Sequence, residues 1–268
     1  RIVEESSHIR SFYLEPADGA GLPDFSAGQH LPFRLSIAGQ PQPLIRTYSL
    51  SSAPSDNFLR ISVKREGVAS SYLHDQVEVG SLLEARAPQG RFSLDGEQRR
   101  PLVLLAAGVG ITPLLSMLRE VIFQNQRLRR SRPVWLLQSA LAELAFRDEL
   151  FSLLQRGGEA IHAVRLLSQP EPDALEGQDF ELAGRIDVTL LKALLPFDDY
   201  DFYLCGPSRF TQDLYDGLRQ LNISDMRIHA ATFGPSSLRR QADQGSAQPV
   251  LSAAASGPVP VLFEQSAK

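Results

Sequence analysis

The stretch PLVLLAAGVGITPLLSML, residues 101–118, decides the fold. It opens on an apolar run without polar alternation, as a strand covered on both faces requires. Gly108-Val109-Gly110 then interrupts the run, and apolar residues resume at helical spacing. Thr112 is the expected N-cap, with Pro113 at the first helical position, where its missing N–H does no harm. Glycines at 108 and 110 let the backbone approach a bulky ligand closely. A helix N-terminus there offers unpaired N–H groups and the positive end of its dipole to a phosphate. The same residues also make a plain strand-to-helix turn. The full G-x-G-x-x-G fingerprint is absent, since Pro113 stands where a third glycine belongs.

Toward the C-terminus the alternation repeats. PVWLLQSA (133–140), IHAVRLLSQ (161–169), YDFYLCG (200–206) and MRIHAATFG (226–234) read as strands. Between them, 143–158, DVTLLKALLP (187–196, capped by Asp187) and 208–222 read as helices. Strands alternating with helices define a parallel, doubly wound α/β domain with ligands at the carboxyl ends of its strands. Cys205 falls at such an end, and Gly206-Pro207 turns the chain into the next helix. A lone cysteine is most often a small buried hydrophobe. Nucleophilic use needs a basic partner, and none stands nearby in sequence, so any role for Cys205 is to shape a pocket.

Toward the N-terminus the texture is β. Runs at 8–16, 27–37, 44–52, 58–66 and 81–94 are short, rich in β-branched and aromatic residues and punctuated by Gly, Pro, Asn and Asp. They predict a small antiparallel barrel. SSYLHDQVEVG (70–80) is the exception, a short helix with Ser70 or Ser71 as N-cap. LIRTYSLSSAP (44–54) has two readings: a half-buried strand with idle hydroxyls, or the seat of a flat, charged ligand. Arg46 suits a phosphate, Tyr48 an aromatic ring, and the Ser49 hydroxyl a ring nitrogen. EGVASSYLHD (66–75) adds a glycine, two hydroxyls and a helix start that suit a pyrophosphate. His74 is read as a surface or capping residue. No His/Cys/Asp/Glu spacing suits a metal, and no G-x-S-x-G elbow is present.

At 268 residues the chain exceeds one compact core, which predicts two domains. A net charge of −4 argues against nucleic acid or an anionic membrane as the main partner. One cysteine allows no internal disulfide and suits the cytoplasm. No apolar run spans a bilayer and no leader precedes the first residues. A start on Arg1 suggests a fragment or processed product. After Phe233 the small, polar residues 235–258 read as a flexible linker, and VPVLFEQSAK (259–268) as one further strand.

RTYSLSS, ISVKREGVASSYLHD, APQGRF, LLAAGVGITPLLSML, AFRDEL, YLCGP and IHAATFGP follow one another in this order. Together they resemble the ferredoxin–NADP⁺ reductase superfamily, in the branch of flavohaemoglobin reductase modules and NADH-dependent oxygenase reductases. The resemblance implies an FAD-binding barrel over 1–98 and an NAD(P)-binding α/β domain over 99–235. Residues 236–268 would then be a linker and the first strand of a ferredoxin-like domain. It implies FAD rather than FMN, seated by Arg46, Thr47, Tyr48 and Ser49 with Val63, and its phosphates held by Gly67, Val68, Ala69, Ser70 and Ser71. Gly108, Gly110, Thr112 and Pro113 match the nicotinamide-nucleotide loop. Cys205, Gly206 and Pro207 match the segment beside the nicotinamide, and Phe233 the aromatic that covers the flavin and must move. Ser49, Cys205 and Phe233 are thus the implied catalytic set. Two departures stand out: Ala231 occupies a position that is often Glu, and the loop after WLLQS lacks the Arg that holds an NADPH 2′-phosphate. The second tilts the expectation toward NADH over NADPH, with Arg165 and Arg147 as the alternative arginines for that phosphate. The implied partner is a [2Fe–2S] ferredoxin domain, or a haem or oxygenase protein. The rival expectations are a flavin-bearing subunit with little NAD(P)H activity, and a non-enzymatic nucleotide-binding module.

Overall fold

The computed structural model describes residues 1–233 and 238–243. The strand expected at 259–268 lies outside the described residues, as does most of the expected linker.

The N-terminal half holds two antiparallel three-stranded sheets. One is β1 (Ile2–Ser6), β2 (Ile9–Leu14) and β5 (Leu59–Lys64). The other is β4 (Leu44–Ser49), β3 (His30–Leu35) and β6 (Glu84–Ala85), with β3 central. A bridge between Leu50 and Ile61 joins them around one core that includes Phe12, Leu31, Phe33, Ile61 and Leu73. Each such large apolar side chain stabilises the fold by roughly 1.5–3 kcal/mol when fully buried. The strand expected over 81–94 shrinks to Glu84–Ala85 plus an isolated bridge from Gln89 to His30. Pro88 lacks a ladder donor and Gly90 sits at φ +119°, which no regular strand accommodates. Strand β1 has no signal in the sequence, because IVEES is half-buried without alternation.

Helix α1 (Val68–Gln76) starts three or four residues earlier than expected, with Gly67 as N-cap in place of Ser70 or Ser71. The Ser70 hydroxyl instead reaches back and accepts from the Glu66 and Gly67 N–H groups, both at 2.9 Å. His74 is buried, not on the surface, with its Nε2 2.8 Å from the Val63 carbonyl.

The second half is a six-stranded parallel sheet: β7 (Leu102–Ala107), β8 (Val134–Ala140), β9 (Ile161–Leu167), β10 (Leu182–Ala183), β11 (Asp201–Gly206) and β12 (Ile228–Thr232). The order is β10-β9-β8-β7-β11-β12. The chain runs outward from β7 to β10, then crosses to the other side of β7 for β11 and β12. The direction therefore reverses between β7 and β11, where doubly wound sheets open a crevice. Helices α2 (Ile111–Leu128) and α3 (Arg147–Gly157) cover one face, α4 (Val188–Leu194) and α5 (Ser208–Gln220) the other. Strand β7 shows why residues 102–106 are continuously apolar. Leu102, Leu104 and Ala106 enter the core beneath α2, while Val103 and Leu105 enter the opposite one.

Helix α2 begins at Ile111 with Gly110 as N-cap, so Thr112 and Pro113 stand inside its first turn. The short 3₁₀ turn Gly108–Gly110 runs straight into the helix and starts it early. The Thr112 hydroxyl donates to the Val109 carbonyl at 3.0 Å. Asp187 caps α4 as expected, accepting from the Leu190 N–H at 2.8 Å.

Residues 238–243 were expected within a flexible linker, but they are tied along α5. The Gln212 side chain bonds both backbone groups of Arg239, Tyr215 Oη meets both backbone groups of Gln241, Arg240 pairs with Asp225, and Asp243 with Arg219. Leu238 packs against the core beneath α5.

Candidate functional site

The Gly108–Gly110 turn is fixed by its neighbours. Gly108 has φ +55°, a left-handed conformation that favours glycine. A Cβ on Gly110 would lie 2.0 Å from the carbonyl oxygen of Cys205, so any side chain there displaces backbone. A Cβ on Gly206 would meet Ala107 Cβ and Phe210 at 2.9 Å. The register of β7 and β11 pairs Ala106 with Cys205. The expected nucleotide loop and the expected cysteine thus meet at the point where the sheet reverses direction.

Cys205 is fully buried, and desolvation pushes its thiol far up from the ordinary range. It stays protonated at neutral pH, so it offers shape and a weak S–H rather than a nucleophile. The turn also touches β5 of the barrel and β8. A cleft of about 1650 Å³ opens beside it, lined by Gly108, Val109, Ser139, Ala140 and Pro207 on one wall. The β1–β2 hairpin, residues 3–9, and Lys64 form the other wall. The cleft is large enough for a dinucleotide. Arg147, which lines it, is bound to Asp179 at 2.6 Å. Arg165 is held by Glu181 at 2.5 Å. Both arginines are thus engaged by carboxylates, whereas Arg185 and Arg209 also line the cleft.

Strand β4, the expected flavin strand, lies at the end of its sheet, which leaves one row of backbone groups without a strand partner among the described residues. The residues of β4 do not line the cleft; their face is open. Arg46 is exposed, with Nη1 donating only to the Ile45 carbonyl at 2.8 Å, and Thr47 is exposed beside it. Tyr48 is half-buried, its ring tilted against Phe33 at 5.9 Å, and burial pushes its phenol up to about 12. Ser49 is half-buried, and no hydrogen bond occupies its hydroxyl among the described residues.

At α1 the N-cap Gly67 has no side chain to satisfy the first-turn N–H groups, and the space where a Cβ would go is open. An anion fits there. Val68 is exposed and Ser71 half-buried, within reach of it. Three of the expected flavin residues act differently. The Val63 side chain is in the barrel core, Ala69 is buried, and the Ser70 hydroxyl is engaged with the chain. Phe233 follows β12 and is 42% exposed.

One group escapes sequence reasoning. Arg60 of β5 is 2% exposed and bound to Glu149 of α3. Leu59, Ile61 and Val63 face the barrel core, so Arg60 and Ser62 must face the other way, toward the α/β domain. The only signal was an arginine within the strongly apolar run 58–63.

Family models match in two blocks: an oxidoreductase FAD-binding domain over residues 2–94 and an oxidoreductase NAD-binding domain over 104–216. A flavohemoprotein of Oceanobacillus iheyensis is 38% identical over 241 residues, 87% of this chain and 57% of that protein. The chain thus spans less than two thirds of the length of such curated relatives. The flavohem-like FAD/NAD-binding domain of nitric oxide dioxygenase from Vibrio cholerae superposes with TM-score 0.77 at 35% identity, over 88% of this chain and 96% of that one. Flavohemoglobin from Malassezia yamatoensis, solved with FAD and haem, gives TM-score 0.72 at 26% identity, over 87% and 58%.

Fold and site define a two-domain flavin- and nicotinamide-binding oxidoreductase. The chain belongs to the ferredoxin–NADP⁺ reductase superfamily, among the flavohaemoglobin reductase modules. It is an FAD-dependent NAD(P)H oxidoreductase. No helix among the described residues is long and apolar enough to cross a membrane.

Proposed function

We propose that this chain takes electrons from NADH through bound FAD and passes them singly to a haem or iron–sulfur acceptor in the cytoplasm. The division of labour runs 1–98 for the flavin and 99–235 for the nucleotide. The carrying observation is the contact between the Gly108–Gly110 turn, the Cys205 end of β11 and β5 of the barrel, which brings nucleotide loop and flavin barrel together. FAD, when bound, accepts a hydride from the nicotinamide and releases its electrons one at a time.

The chain's own residues bind, orient and exclude water. Arg46 and the α1 N-terminus suit the flavin phosphates, with Ser71 beside them. Tyr48, already braced by Phe33, offers its ring to the flavin plane. The Ser49 hydroxyl would donate to a flavin ring nitrogen. Gly108 and Gly110 would let a nicotinamide nucleotide approach the backbone, and the neutral Cys205 thiol would border the nicotinamide. Phe233 would cover the flavin ring. NADH is favoured because the loop after WLLQS carries no arginine for a 2′-phosphate, and Arg147 and Arg165 are engaged by Asp179 and Glu181. A 2′-phosphate would have to break a charge-assisted pair to gain one. Haem as acceptor is supported by the flavohemoprotein relatives, and an iron–sulfur domain by the sequence of the tail.

The test is anaerobic rapid mixing of the FAD-loaded protein with NADH and with NADPH. The flavin absorbance should bleach, at least tenfold more efficiently with NADH, and Ser49→Ala should bleach more slowly. A protein that takes up no FAD, or FAD that stays oxidised with both nucleotides, rejects the reading. Re-oxidation by a haem protein or by a [2Fe–2S] ferredoxin then selects between the acceptors.

A further inference from the structure

Four charged side chains alternate in sign across the junction of the two domains. Asp56 follows β4 in the barrel. It receives Arg119 of α2 twice, from Nη2 at 2.6 Å and Nε at 2.8 Å. Arg119 Nη1 donates to Glu149 Oε1 at 2.6 Å. Glu149 in turn receives Arg60 from Nη1 at 2.6 Å and Nη2 at 3.0 Å. The barrel supplies Asp56 and Arg60, the α/β domain Arg119 and Glu149. All four side chains are at most 18% exposed.

Arg60 does more than cross the junction. Its Nε donates to Ser51 Oγ at 2.9 Å and its Nη2 to the Ser51 carbonyl at 2.8 Å. Ser51 is two residues beyond Ser49. At the other end, Arg119 belongs to the helix that grows out of the Gly108–Gly110 turn. Glu149 lies in the first turn of α3, directly after the loop that lines the nucleotide cleft, and itself lines that cleft. The chain of ions therefore runs from β5 and the segment that follows β4 to the two helices that carry the Gly108–Gly110 turn and the cleft wall. Its bidentate guanidinium–carboxylate pairs fix angle as well as distance.

We propose that Asp56–Arg119–Glu149–Arg60 is a positioning device that sets the alignment of nicotinamide on flavin, with Glu149 as the shared hub. The inference rests on the flavin and nicotinamide assignments above. The four residues touch no reacting atom; they hold the two half-sites in register. An error near 1 Å at such a junction costs on the order of 100-fold in rate while leaving binding of each partner largely intact.

Glu149→Gln keeps the shape and removes the charge. In the FAD-loaded variant, the limiting rate of flavin reduction by NADH should fall roughly 10- to 100-fold. Glu149 also lines the cleft, so the binding readout is taken on Arg119→Gln, which does not line it and should change the apparent Kd for NADH less than about threefold. Glu149→Asp, which retains the charge, should recover part of the rate. Independently of activity, hydrogen–deuterium exchange on the FAD-loaded protein should rise at 49–60 and 108–119 together and hardly elsewhere. If Glu149→Gln fails to fold, Arg119→Gln removes one of the two donors to Glu149, leaves Arg60 paired, and gives the same readouts. Unchanged reduction with a merely lowered melting temperature overturns the inference, as does an effect confined to Kd. A parent protein that NADH does not reduce rejects the functional reading itself, which separates the two failures.

Discussion

Gly110 shows how much one hydrogen atom decides. Its missing Cβ leaves the space that the Cys205 carbonyl occupies, at 2.0 Å from where that carbon would sit. The neighbour is backbone inside a parallel ladder, so it cannot rotate away. Gly110→Ala should therefore destabilise the protein by several kcal/mol, or fold with the turn displaced. Chemical denaturation measures the first outcome, and loss of NADH-driven bleaching with FAD still bound detects the second. An alanine variant as stable and as reducible as the parent would refute the contact. Glycines at 108 and 110 and the cysteine at 205 were legible in the sequence because each marks a local event at the end of an apolar run. Arg60 and Glu149 were not. They stand 89 positions apart, and nothing local announces that one will be buried against the other.

At the scale of elements, alternation carried the reading and caps blurred it. Apolar runs located β7, β8, β9, β11 and β12, of which β7 and β11 are buried nearly throughout. It failed for β1, whose residues are half-buried, and for 81–94, where Pro88 and Gly90 end the ladder. The hydroxyls at 70 and 71 pointed to a helix start, but they mark its third and fourth residues rather than its cap. Ser70 serves the helix by reaching back to two N–H groups. Ser70→Ala leaves those donors without a side-chain acceptor, and should lower unfolding free energy by about 1–2 kcal/mol in urea titration. It should also weaken FAD retention, because Gly67 and its neighbours would no longer be held in place for a phosphate. A loss below ~0.3 kcal/mol would show that the hydroxyl is dispensable.

For the whole molecule, two domain types were legible and their mutual placement was not. The order of motifs gave an antiparallel barrel followed by a doubly wound sheet. The junction depends on pairs such as Asp56 with Arg119, 63 positions apart, which sequence spacing does not encode. Residues 238–243 were misjudged for a related reason. Their composition is that of a linker, yet Arg240, Gln241 and Asp243 each find a partner on α5 or the turn before β12. A chain ending at residue 237 should melt several degrees below one ending at residue 243 by differential scanning calorimetry; equal melting points would mean that these contacts contribute nothing.

That tie to α5 has a mechanical consequence. A tug on the chain past residue 243 must first shear Asp243 from Arg219 and Arg240 from Asp225. Helix α5 acts as a mooring post. Load applied past residue 243 is taken up by these pairs before it reaches β12.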